Sequence, residues 1–327
     1  MNSLSGSARA ILATLIYYDG LNFPLTQIEL ESFSIPVSKF DSNLSRLDFI
    51  SAISELQRIN LITEKNGYYM LANRQSLYEQ RIRRRKIAEK KWQRIQREVR
   101  WLRFVPFIEI LFASGSLALE NPSLQSDLDL LVVTRSGRIW ITRVLISLVL
   151  SLRRTRRTRY EVIAPDKVCL NHYITDQSLA IPFRSLYTGQ LYAHLMPIFF
   201  EDERLVRKFK IDNNWIKNYV TQWSLPINSR RRVQQNYILR VVKQALAFFL
   251  GGRVGNWLEG LARDYQSRRV RQSRDFRTLG GRVTIDDTQL EFHPHSPERR
   301  LIDNFNQAVK ARTLFGNYLE KDSGLRA

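Results

Sequence analysis

Two aspartates stand two residues apart in Ser126-Asp-Leu-Asp-Leu-Leu-Val-Val133, ten residues after a Ser114-Gly115-Ser116 triplet. Leu128, Leu130, Leu131, Val132 and Val133 make this run strand-like. Alternation along a strand therefore puts Asp127 and Asp129 on one face, with Leu128 and Leu130 on the other. Neighbouring carboxylates on an apolar scaffold repel one another and are costly to desolvate unless a cation lies between them. Hard oxygen ligands of this kind suit magnesium. The apolar run from Phe104 to Ala113 reads as a second strand, with Ser114-Gly115-Ser116 as the turn that leaves it. Glycine there lets backbone N–H groups come close to a phosphate, and a serine hydroxyl can donate to the same oxygens.

A strand, a Gly-Ser turn, a short helix and a strand carrying Asp-x-Asp resemble the DNA polymerase beta-like nucleotidyltransferase superfamily. The resemblance covers roughly residues 104 to 180. It implies transfer of a nucleoside monophosphate from a nucleoside triphosphate (NTP) to a hydroxyl acceptor. By the same resemblance Asp127 and Asp129 hold two magnesium ions, and Ser114, Gly115 and Ser116 hold the triphosphate. It also implies a third acid on a later strand, which completes a metal site and takes the proton of the attacking hydroxyl. The best downstream strand, Val168 to Ile174, has Asn171 at its middle and no acid. Glu161 and Asp166 are the nearest candidates before it and Asp176 the nearest after it. Without a third acid the domain is a slow enzyme or a nucleotide-binding remnant.

The rest of the chain must position these residues. Its 327 residues, 44% hydrophobic, are enough for two or three domains with real cores. A single cysteine, Cys169, excludes internal disulfides and fits a reducing compartment. Its place in an apolar strand reads as a buried small hydrophobe. The greasiest windows, Val144 to Leu152 and Ala245 to Leu250, are too short to span a bilayer, so the expectation is a cytoplasmic protein with no membrane partner.

Charge is unevenly spread. The net charge is +20, yet residues 1–75 hold six basic against seven acidic side chains, which places any polyanion-binding surface outside this segment. That segment has the layout of a winged helix-turn-helix. Helices are expected from Ser7 to Tyr18, after Pro24 with Thr26 as cap, and from Leu47 to Asn60; a hairpin follows around Asn66-Gly67. Asp48 and Glu55 on the third helix make a poor surface for phosphates, which favours a structural or protein-contact role over DNA binding.

No proline or glycine interrupts Gln75 to Val105, where Ala88, Trp92, Ile95, Val99 and Leu102 form a helical apolar stripe. Arg84, Arg85 and Lys90 are among its many basic residues. Arg153, Arg154, Arg156 and Arg157 belong to a cluster of five arginines running to Arg159, at the end of an apolar helix. Both regions read as contacts for a nucleic acid, the triphosphate or an acidic protein. Beyond residue 180 the pattern is mainly helical. Trp215, Tyr219, Trp223, Tyr237 and Trp257 read as core, and a hairpin is expected around Asp286-Asp287.

The expected architecture is α+β, with mixed α/β character. A winged helix spans 1–75, a basic linker helix 76–103, a small mixed-sheet nucleotidyltransferase core 104–180 and a mainly helical domain 181–327. Two alternatives to a transferase stand beside it: a non-catalytic nucleic-acid-binding or nucleotide-sensing regulator, and a partner-controlled toxin-type transferase.

Overall fold

A computed structural model describes residues 4–36, 46–158, 161, 163–272, 281–293, 296–312 and 319–323. The fold is α+β, and the described residues form one three-stranded and one six-stranded sheet. In the first 75 residues α1 (Gly6–Gly20) is capped by Ser5, whose hydroxyl accepts from the Ala8 N–H at 3.1 Å, two residues ahead of Ser7, where the helix is expected to start. α2 (Gln27–Phe33) starts in a capping box: Thr26 takes the Glu29 N–H, and Glu29 takes the Thr26 N–H at 2.8 Å. After α3 (Arg46–Arg58), β2 (Ile62–Lys65) and β3 (Tyr68–Leu71) pair antiparallel, with the short β1 (Leu25–Thr26) on the far side of β3. The hairpin turns through Asn66 and Gly67, both at positive φ, as a type I′ turn requires.

This module shares a core with the far end of the chain. Ile11, Leu15, Tyr18 and Phe49 pack in one cluster with Leu186, Ile302, Phe305 and Val309. The Tyr18 hydroxyl donates to Gln190 at 2.7 Å.

The basic helix α4 (Ser76–Leu102) buries Ala88, Trp92, Ile95, Val99 and Leu102, as its stripe requires. Two of its cations turn inward instead of joining a solvated face. Arg81 pairs with Glu29 at 2.7 Å and stacks 3.6 Å over the Phe23 ring, while Lys91 pairs with Asp166 at 2.6 Å.

The six-stranded sheet runs in the order β7-β4-β5-β6-β9-β8. β4 (Ile108–Ala113) and β5 (Leu128–Thr134) are antiparallel, joined through the short α5 (Gly115–Ala118). α6 (Ile139–Leu152) carries the chain to β6 (Val168–Thr175), parallel to β5. Alternation along β5 sends Leu128, Leu130 and Val132 into the core under α4 and α6, and Leu131 and Val133 into the core on the opposite face. After α7 (Leu186–Ala193), β7 (Met196–Phe200) pairs with β4. Near the end of the chain β8 (Arg282–Ile285) and β9 (Gln289–His293) form the hairpin around Asp286-Asp287 and pair with β6.

The sheet therefore does not stop at residue 180, where the composition places a boundary, because half of its strands come from the segment read as mainly helical. That segment also holds α8 (Glu203–Asp212), a short 3-10 helix at Asn214–Asn218, α9 (Tyr237–Gly251), α10 (Arg253–Arg271) and α11 (Glu298–Ala311). Trp215 and Trp223 are buried as expected, whereas Tyr237 and Trp257 are exposed. Among the described residues no helix is long and apolar enough to cross a membrane.

Candidate active site

β4 ends in Ala113, and Ser114 N–H donates to the Asp129 carbonyl at 3.1 Å, which ties the turn to β5. Gly115 follows at φ +62°, a conformation glycine takes without strain. A Cβ at this position would overlap Asp129 Oδ2 and stand 3.2 Å from its Cγ, so the glycine leaves the space the carboxylate occupies. Asp127 lies just before β5 and Asp129 within it, both half-buried, and one ligand atom from each lies with Cys169 Sγ inside a 4.8 Å cluster. The spacing of two thus brings the carboxylates together beside the glycine turn.

Their surroundings meet this charge only in part. Arg157 donates to Asp127 Oδ2 at 2.5 Å, and the Asn171 amide donates to Asp129 Oδ1 at 3.1 Å. Burial and then the nearby Asp127 push the Asp129 carboxyl up to about 7, against the pull of Arg157. A divalent cation would reverse that balance, and two carboxylate oxygens at this separation are hard donors of the kind magnesium takes.

The third-acid candidates are committed elsewhere. Asp166 sits in a turn at φ +59° with its carboxylate on Lys91, and Glu161 pairs with Lys167 and accepts the Thr158 N–H at 2.8 Å. The Asp176 carboxylate accepts the Ser136 N–H at 2.9 Å. Asn171, two residues beyond the register partner of Asp129 on β6, reaches the Asp129 carboxylate with its amide, where an acid would bring a charge.

Two side chains enter the site whose roles were not read from the sequence. Cys169 pairs in register with Asp129, so it is half-buried at the acids instead of sealed in the core. Burial, Asp129 and Asp127 all push its thiol up. Arg157, read as a polyanion contact, is 33% exposed and spans Asp127 and Cys169. Cys169 was not legible because the β5–β6 register, with its irregularity between Asp129 and Leu131, decides which residues of β6 reach the site, and Arg157 was not because its segment is placed by its own backbone pairing with Val168.

The remaining basic candidates divide. Arg153 is held by the buried Glu98 at 2.7 Å, and Arg84 donates to Asn121 at 2.8 Å, so both are structural contacts. Arg85, Lys90 and Arg154 are exposed and Arg156 is half-buried, while Arg159 lies outside the described residues. Compared with models of known protein families, with curated proteins and with solved structures, the chain matches none.

Proposed function

We propose that the protein is a magnesium-dependent nucleotidyltransferase, which moves a nucleoside monophosphate from an NTP to a hydroxyl acceptor. The observation that carries this reading is the convergence of Asp127 and Asp129 beside Gly115, with Asp129 held above its ordinary carboxylate range by burial and by Asp127. The strand order supports it: the turn leaves β4, the acids open the antiparallel β5, and the parallel β6 sets Asn171 and Cys169 next to them.

Asp127 and Asp129 would hold the metal, and bound magnesium would neutralise charge on the triphosphate. Gly115 keeps the turn free of a side chain, so that phosphate oxygens can approach its backbone, and the Ser116 hydroxyl donates to them. Arg157, one third exposed, releases Asp127 and turns its guanidinium to the leaving phosphates. The exposed Arg85, Lys90 and Arg154 supply sites for an anionic acceptor such as nucleic acid.

A second reading has its own support. Asn171 stands where a third acid would complete the site, and an arginine already sits on Asp127; both favour a domain that binds an NTP without turning it over. Incubation with magnesium and each alpha-labelled NTP, in the presence of total cellular RNA and protein, separates the two. Label appearing in one pool, and lost in Asp129→Asn, supports the transferase. Saturable NTP binding with no label in any pool supports the sensor, and neither binding nor label refutes both.

A further inference from the structure

Helices α9 and α10 are turned inside out. On α9 the side chain packed against the body is Lys243, whose Nζ donates to the Ile108 carbonyl and pairs with Glu201 at 2.9 Å. On α10 the Gln266 amide donates to the Trp140 carbonyl at 3.1 Å. Glu259 there accepts the backbone N–H groups of Trp140 and Ile141, at 2.9 and 2.8 Å. These contacts fix both helices with polar side chains inward and apolar ones outward. Tyr237, Ile238, Val241, Val242, Phe248 and Phe249 face solvent on α9, with Phe248 81% exposed. On α10 the outward residues are Val254, Trp257, Leu261 and Tyr265, with Trp257 64% exposed. A Cβ at Gly255 would overlap the Leu250 carbonyl, so glycine permits the abrupt junction at which the two stripes meet. Apolar patches of this extent mark an interaction surface.

We propose that this face docks on the surface of a lipid bilayer carrying anionic headgroups. Fifteen residues make α9 about 22 Å long, short of the roughly 30 Å hydrocarbon layer, so it lies along the interface instead of crossing it. From Tyr237 to Gln272 there are seven basic and two acidic residues; Lys243 is turned inward on Glu201 and Arg263 pairs with Asp264, which leaves five arginines for the face. Both acids are engaged, Glu259 with α6 and Asp264 with Arg263 at 3.2 Å. The stripe Trp257, Leu261, Tyr265 continues at helical spacing into Arg268, and Arg240, Arg253, Arg269 and Arg271 are exposed nearby. Tyrosine and tryptophan suit the boundary between headgroups and chains, and arginines attract the headgroup phosphates.

Between α4 and α9 an open groove of about 620 Å³ is lined by Trp101, Phe104, Leu239 and Val242, with Arg100 and Arg103 beside it. That combination takes an acyl chain below a charged headgroup. Ile238, Val241, Val242, Val254 and Leu261, interleaved with the aromatics of this face, have no counterpart in a nucleic-acid base but suit acyl chains, and a second copy would set arginines against arginines.

Sedimentation of the full chain with vesicles tests this, using phosphatidylcholine alone or mixed with phosphatidylglycerol. The protein is expected to pellet with the anionic vesicles at about 0.1 M salt and to release as salt rises. F248D/F249D, both at exposed positions, should weaken partitioning about tenfold or more, and so should R268E/R269E, which leaves the apolar stripe intact. Circular dichroism checks that each variant is folded, and R268E/R269E decides if the other is not. No pelleting with either vesicle would overturn the proposal and leave the face to a protein partner. A concentration-dependent dimer abolished by F248D/F249D, without vesicle binding, would assign it to a second copy instead.

Discussion

Two groups of acids flank β6, and their arginines treat them differently. On the β9 side Glu291 and Glu298 share Arg282, at 2.7 and 3.0 Å, and all three are almost fully buried. Ser185 and Ser323 add hydrogen bonds of 2.7 and 2.9 Å to Glu298, and Gln289 adds one of 3.3 Å to Glu291. On the β5 side Arg157, one third exposed, pairs with Asp127 and acts on Asp129 only through its field, and Asp129 is left above its ordinary range. The first group is saturated by its own chain and cements α11 to the sheet. In the second, burial and mutual repulsion outweigh the one arginine. Whether acids are structural or available to a ligand follows from how fully the fold neutralises them, more than from how many there are.

The contrast breaks most visibly at Arg282. Arg282→Met strands two buried carboxylates and should cost about 3–5 kcal/mol in denaturant unfolding, or prevent folding; a loss below 1 kcal/mol would erase the distinction. At the other group Asp129→Asn should lower label transfer roughly a hundred- to thousandfold while unfolding no earlier than the parent chain. A clear loss of stability would make Asp129 as structural as Glu298.

The pH dependence sharpens the same point. The folded Asp129 carboxyl titrates at about 7 and the unfolded one near the ordinary value of about 4, so the folded state binds more protons between these limits. Stability from this group is complete below about pH 4, declines as pH rises to about 7 and is flat beyond. Saturating magnesium, or Asp129→Asn, should flatten the decline, and adding a chelator should restore it in the parent chain only. Thermal unfolding across this range reads all three. The smallest effect belongs to Arg157→Gln, expected to change stability by less than about 1 kcal/mol because the pair is partly solvated. A larger loss would move Arg157 to the structural side.

Features set by neighbours in the chain were legible before folding. The Thr26 and Glu29 cap, the Asn66-Gly67 turn, the unbroken stripe of α4 and the Asp127–Asp129 spacing all depend on a few adjacent residues. What escaped depends on distant pairing. β7 reads as part of a helical region until β4 lies beside it, and Cys169 reads as core until the register of β6 sets it against Asp129. Lys91 and Arg81 look like solvated cations because Asp166 and Glu29, their partners, are 75 and 52 residues away. Tyr237 and Trp257 defeat the pattern for another reason: periodicity marks a helix's apolar side but not which way the body holds it, and here Lys243 and Glu259 decide.

The cluster that joins Ile11, Leu15 and Phe49 to Leu186, Ile302 and Phe305 makes the beginning of the chain a wall of the building and not a porch. Cutting away the first 75 residues would bare the greasy sides of α7 and α11 to water, so a truncated form is expected to clump or be digested whatever the missing part recognises. Surface substitutions on α3, whose Leu47 and Ile50 face outward, leave that wall standing while altering what it presents.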